Sequence, residues 1–117
     1  MILGLMVVGC GKTELTEEEK KALREKVVGT YEGMVQGDTY RLVFLANGIV
    51  QYFLNGKKLI VAKWSIVKEE IHTVGEDGLI GVSRINKDGS ITGIARIEDG
   101  KREEASKEGQ TTFFRIK

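Results

Sequence analysis

Proline is absent from this chain of 117 residues, and cysteine, histidine and tryptophan occur once each. Without proline there is no stiff proline-rich linker, and the 15 glycines have to be explained position by position. The lone cysteine, Cys10, can neither close an intrachain disulfide nor build a thiolate metal cluster within one chain. The lone histidine, His72, stands between Glu70 and the pair Glu76-Asp77, an arrangement that invites a divalent metal. Zinc, however, takes roughly three or four protein ligands and usually more than one His or Cys, so no metal and no cofactor is expected, and His72 reads as an outward-facing strand residue. Charge of one sign is also missing. With 18 Lys+Arg against 17 Asp+Glu the net charge is +1, which offers no concentrated basic face for nucleic acid. Long apolar runs are lacking too: residues 1–9 fall far short of the about 20 residues that span a bilayer as a helix. What remains is 41% hydrophobic residues in a length that suits one domain of about 100–150 residues.

The stretch VVGCGKT, residues 7–13, supports two incompatible readings. Gly11-Lys12-Thr13 has the ending of a phosphate-binding loop. Such a loop needs G-x-x-x-x-G-K-[ST], because its first glycine makes the turn that aims backbone N–H groups at phosphate. Met6 stands where that glycine should be, and nothing after residue 30 reads as the further helices of a parallel α/β sheet. The second reading is an export signal. Val7-Val8-Gly9-Cys10 resembles the bacterial lipobox, in which a branched apolar residue, a tolerant position and a small residue precede the cysteine. That resemblance implies a signal peptide over 1–9, cleavage after Gly9, a lipid on Cys10, and a tether over 10–15 leading to a single β domain at 16–117. A signal also begins with Lys or Arg, and none precedes Cys10, so Met1 is expected to be an internal methionine or the true first residues to be missing. Glycine at position 11, in place of the aspartate that commonly retains lipoproteins in the inner membrane, resembles the outer-membrane pattern of Gram-negative envelopes. The competing expectation is an apolar strand or helix over 1–9 with Cys10 as an ordinary buried thiol.

Thr16-Glu17-Glu18-Glu19 fits a capping box, and acidic residues first with Lys20, Lys21, Arg24 and Lys26 later suit a helix dipole. One short helix is expected, ending near Val28-Gly29, with only Ala22, Leu23 and Val27 as its apolar stripe. From residue 29 the hydrophobic period becomes two. Gly37-Asp38, Asn47-Gly48, Asn55-Gly56, Asp77-Gly78, Asp88-Gly89 and Asp99-Gly100 mark turns, since these pairs supply the positive φ angles tight hairpins require. Between them lie GTYEGMV, TYRLVFL, IVQYFL, KLIVAKWSIV, EIHTV, LIGVSRI, ITGIARI and TTFFRI. These are eight candidate strands, the pattern of an antiparallel up-and-down meander closing into a small barrel, with a two-sheet β-sandwich as the alternative. Alternation puts Tyr31, Val35, Tyr40, Leu42, Phe44, Ile60, Ala62, Trp64, Ile66, Ile80, Val82, Ile91, Ala95, Phe114 and Ile116 inward. It puts Arg41, Lys63, Arg84, Arg96 and Arg115 on the outside or at a rim. Gly33, Gly81 and Gly93, inside strands, mark bends needed for closure. The segment Glu98–Gln110 reads as a solvated charged loop.

A short helix followed by Val28-Gly29-Thr30-Tyr31 at the head of such a meander resembles the lipocalin-like (calycin) group of small bacterial envelope proteins, and Lys63-Trp64-Ser65-Ile66 in the fourth strand is similar to a segment common there. The resemblance spans about residues 20–117. It implies an aromatic at the start of the first strand plugging the closed end of the barrel, with Tyr31 here where tryptophan is usual. It also implies a late arginine packed over that aromatic, and Arg115 is the residue near the end that could serve, although its parity points outward. Folds of this group often bind small apolar molecules, so Tyr31, Tyr52 and Trp64 are the candidate cavity residues. No catalytic residue is expected: Ser65, Ser83 and Ser90 have only His72 as a conceivable base, and the acidic pairs Glu69-Glu70, Glu76-Asp77 and Glu98-Asp99 fall at wet turns. The expected function is a lipid-anchored, non-enzymatic module of the bacterial envelope that binds a small apolar ligand or another envelope component. The alternative is an interaction module with a filled core and no cavity.

Overall fold

The computed structural model describes residues 15–117; the stretch 1–9 read as a signal peptide, Cys10 and most of the stretch 10–15 read as a tether lie outside the described residues. Helix α1 runs Glu17–Val27 and opens on the expected capping box: the Glu19 amide donates to the Thr16 hydroxyl at 3.1 Å and the Thr16 amide to the Glu19 carboxylate at 2.9 Å. Nine strands follow: β1 Gly29–Val35, β2 Asp38–Phe44, β3 Ile49–Leu54, β4 Lys57–Val67, β5 Glu70–Val74, β6 Ile80–Ile85, β7 Ile91–Glu98, β8 Lys101–Glu104 and β9 Thr111–Arg115. They form one antiparallel sheet in the order β9-β1-β2-β3-β4-β5-β6-β7-β8, and β9 also pairs with β7. That second pairing closes β1 to β7 and β9 into an eight-stranded up-and-down barrel.

The turn residues do what their chemistry allows. Asn55-Gly56 and Asp99-Gly100 take positive φ at both positions (48° and 87°, 52° and 78°), the geometry that matches strand twist in a two-residue hairpin. The first hairpin turns one residue earlier than expected, at Gln36-Gly37, and the β4–β5 hairpin turns at Lys68-Glu69 with positive φ and no glycine at all.

β8 is the strand the sequence pattern hides. KREE contains no apolar residue and sits in the segment expected to be a solvated loop. It is a strand because the Asp99-Gly100 turn folds it back onto β7, pairing Ala95 with Glu104 and Glu98 with Lys101. β8 and β9 therefore share one edge of β7 end to end, separated by an excursion at residues 105–110.

The core holds Tyr31, Leu42, Phe44, Val50, Ala62, Trp64, Ile66, Ile71 and Ile91, with Val27 of α1 closing one end. Two groups of residues depart from the expected faces. Phe114 and Ile116 lie outside, 57% and 45% exposed, while Phe113 and Arg115 face in. Consecutive phenylalanines give the strand no parity of its own; its register against β1, Arg115 opposite Tyr31, decides which one enters. Val82 is buried, but on the other face. Ile71 faces the core and pairs with Ser83, so Val82, opposite His72 and Ala95, points away from the barrel together with Ile80. It is covered because an ion pair from Arg102 of β8 to Glu70 of β5 crosses over β6 and β7 on that face.

Two inward glycines differ in a way that can be measured. A Cβ at Gly33 would lie 2.8 Å from both the Phe113 ring and the Thr112 carbonyl, whereas one at Gly93 would meet nothing within 4 Å. Gly33→Ala should destabilise by about 1–3 kcal/mol through overpacking. Gly93→Ala should be neutral or stabilising by up to about 1 kcal/mol, as strand glycine is entropically costly. Urea midpoints followed by Trp64 emission check the contrast; equal effects at the two sites would contradict this packing.

Candidate functional site

The two ends of the barrel are built differently. At the end where α1 lies, Tyr31, Phe44 and Trp64 stack edge to face, with ring centroids 5.5 and 5.4 Å apart and planes at 87° and 86°. Each polar atom of this plug is bonded: the Tyr31 hydroxyl donates to the Val27 carbonyl at 2.7 Å, and the Trp64 indole N–H to the Leu45 carbonyl at 2.9 Å. Burial raises the Tyr31 phenol above its ordinary pKa, and the neighbouring Arg115 guanidinium offsets part of that rise.

Two arginines fasten the helix over the plug. Arg24 of α1 lies with its guanidinium carbon 4.6 Å from the centre of the Trp64 ring and donates to the Ala46 carbonyl at 3.3 Å. Arg115 of β9 donates to the carbonyls of Lys26 and Val28, both at 2.7 Å, and to the Tyr31 hydroxyl at 3.2 Å, and lies 5.6 Å from the Tyr31 ring centre. A cation there also meets the negative end of the helix dipole. Arg115 was expected on the outside by parity; its position over the first-strand aromatic is the finding that corrects this.

The opposite end has no plug among the described residues. Its inward positions are Val35, Tyr40, Tyr52 and Leu54, all half-buried, and Ile60, which is 51% exposed despite pairing with inward Tyr52. Burial raises the pKa of the Tyr52 phenol, and the Thr73 hydroxyl beside it acts the other way. Of the three residues expected to line a cavity, then, Tyr31 and Trp64 belong to one packed stack through Phe44. Tyr52 stands on the far side of Leu42 from Tyr31, facing the open end. A surface cleft of about 640 Å³ lies elsewhere, where β8 gives way to β9, between Gly93, Ala95, Ala105, Gly109 and Phe113.

His72 lies on the outer face, as expected, yet its side chain is only 14% exposed, because the β7–β8 hairpin folds over it. Its Nε2 is buried without a hydrogen-bond partner among the described residues, 3.7 Å from Glu70. Among the described residues no group of three or more His, Cys, Asp or Glu could hold a metal ion. Glu70 is held bidentately by Arg102 at 2.9 and 3.0 Å, and Arg102 also reaches Glu104. That hydrogen bonding keeps the Glu70 carboxyl below the ordinary carboxylate pKa, outweighing the rise from burial, with Arg102 and His72 charges adding to it.

No protein-family model, no curated protein and no solved structure matches this chain.

Arg115→Met should cost about 1–2 kcal/mol, since it strips donors from two helix-end carbonyls and a buried phenol. Arg115→Lys should recover little of it, because an ammonium cannot reproduce the planar fork; full recovery in denaturation would refute the role given to the fork. Because the folded Glu70 pKa is depressed, its pairing contributes stability that is present above the unfolded value and lost as pH falls through the folded one. Glu70→Gln is therefore expected to flatten the decline of the urea midpoint between about pH 6 and about pH 3; an unaltered slope would show that other carboxylates carry the acid limb.

Proposed function

We propose that this protein is a non-enzymatic, lipocalin-like barrel of the bacterial envelope, tethered to the membrane through a lipid on Cys10, and that its open end receives a small apolar ligand. The observation that carries the reading is the difference between the two ends. A cup needs a floor and a mouth. The Tyr31–Phe44–Trp64 stack, roofed by α1 and pinned by Arg24 and Arg115, supplies a floor with its polar atoms satisfied. Val35, Tyr40, Tyr52, Leu54 and Ile60 supply an apolar, partly solvated rim on the inward face. Apolar side chains held half in water at the concave end of a barrel gain by being covered, at about 25 cal/mol per Å² removed from water. Tyr52 is the wall residue with a polar handle, and Tyr31 and Trp64 form the base rather than the lining. The arginine over the first-strand aromatic, a feature the lipocalin-like resemblance implies, supports the same reading. An acyl-chain-sized or naphthyl-sized guest suits such a mouth better than a charged one, since no charged side chain occupies those five inward positions.

The apolar fluorophore N-phenyl-1-naphthylamine should brighten on binding the protein and perturb Trp64 emission. Leu54→Asp, at the rim, should weaken that binding about tenfold or more, because an ionised carboxylate would have to be desolvated beside the guest. Phe114→Asp, on the outer surface, should not. Equal losses for both variants would sink the mouth as the site. For the anchor, Cys10→Ala expressed in a bacterial host should abolish fatty-acid labelling and release the protein from the membrane fraction; undiminished labelling would refute it.

A further inference from the structure

β4 is longer than the strand that should cover it. It runs Lys57–Val67, but β5 pairs only with Lys63–Val67 and turns away after Val74. Residues 57–62 are paired with β3 on one side and, among the described residues, with nothing on the other. The Trp64 amide donates to the Gly48 carbonyl on the β3 side, so by alternation the Ala62 amide points the same way, and the Val61 amide points to the uncovered edge. This edge is also apolar: Leu59, Ile60 and Val61 are 52%, 51% and 40% exposed, three in a row. Where β4 and β5 part, a groove of about 390 Å³ opens between Val61, Ala62 and Lys63 on one bank and Val74, Gly75 and Glu76 on the other. An apolar edge is a template for another strand where it is not blunted, and between the irregularity at Leu59 and Lys63 the residues Ile60, Val61 and Ala62 carry no bulge, proline or charge.

We propose that the free edge of β4 is a docking site for an extended peptide segment of a partner protein, added as an antiparallel strand in line with β5. The charges flanking this edge choose the occupant and its direction. An antiparallel newcomer starts near the fork, beside Glu76, and ends beside Lys57 and Lys58 at the tip of the β3–β4 hairpin. The segment that fits is apolar in the middle, with a basic residue or free amino group at its start and carboxylates at its end. A second copy of this chain is the poorer occupant, because its own residues 57–62 bring Lys57 and Lys58 and no carboxylate to set beside the lysines of the first. Main-chain bonds from Val61 would supply affinity, and the alternate side chains meeting Ile60 and Val61 would supply selectivity. This edge lies beside the mouth but stands independently of any ligand held there.

Hydrogen exchange of the full chain tests it with a synthetic peptide alternating valine and threonine, carrying a free amino terminus and C-terminal glutamates, and a twin with those charges reversed. The first peptide should slow exchange in residues 57–62 by about tenfold or more at saturation, and the twin should not. The double variant Lys57→Glu, Lys58→Glu should weaken the first peptide by about tenfold and favour the twin. Val61→Pro, which removes an amide that no ladder among the described residues uses, should abolish protection while leaving naphthylamine binding and the urea midpoint near their original values. Absence of protection by the first peptide, or indifference to charge reversal, overturns the proposal. So does protection already present without peptide, whether from dimerisation or from the chain's own N-terminal residues. Loss of naphthylamine binding alone would bear on the mouth and leave this edge untouched.

Discussion

The joint between Arg115 and Tyr31 is what the rest of the barrel depends on. An up-and-down sheet becomes a barrel only if its last strand returns to its first, and here β9 meets β1 through Phe114 opposite Glu32 and Arg115 opposite Tyr31. That short ladder continues where the Ile116 amide donates to the Thr30 carbonyl at 2.8 Å and the Thr30 amide to the Lys117 carbonyl at 3.2 Å. It is reinforced because the Arg115 guanidinium reaches past the strand to the carbonyls of Lys26 and Val28, tying the end of the chain to the end of α1. The same fork holds the Tyr31 hydroxyl, whose ring begins the aromatic stack that fills this end. Helix, first strand and last strand are thus locked by one planar cation, and contacts spanning 84 to 89 residues of sequence are concentrated in it. Closing so long a loop costs chain entropy, and the cluster of charge-assisted bonds at the point of closure helps to offset it.

The other consequences follow from strand lengths that do not match. β5 has five residues beside an eleven-residue β4, so the wall is low on that side and leaves both an exposed edge and an incompletely covered rim. On the opposite flank the mismatch runs the other way. β7 outlasts β9, and its surplus folds back as β8 rather than ending in solvent. The register shift between Val82 and Ser83 lets the outer part of β7 leave the barrel's curvature, and the Arg102–Glu70 pair then closes over Val82 and His72. The molecule therefore has its main core inside the barrel and a small second buried patch outside it.

Much of this was legible residue by residue. Thr16 and Glu19 declare the helix start, and Asn-Gly and Asp-Gly pairs declare most hairpins, because each is a local conformational requirement met by local chemistry. Alternation worked where a strand has one apolar face, as in Lys57–Val67 with Ala62, Trp64 and Ile66 inward. It failed where both parities are apolar, at Phe113-Phe114, and where burial has a cause other than the core, at Val82. It was silent on KREE, whose strand character comes from its partner, and on Lys68-Glu69, where a turn of positive φ is imposed by the strands it joins. At the site itself, Tyr31 and Trp64 were recognisable as large inward residues and Tyr52 as a cavity candidate on a strand apolar on both faces, but their distribution between floor and wall was not.

The sequence by itself determined a β meander behind one capped helix, with short turns and the aromatic residues on one face, since those are properties of neighbouring residues and of period. Tertiary structure decided which strand meets which at the seam, that Arg115 turns in over Tyr31, that of the described residues an aromatic plug fills one end and none fills the other, and that β4 outruns β5. Those outcomes depend on register between strands far apart in the chain, and a shift of one residue would reverse every face without changing a single local propensity.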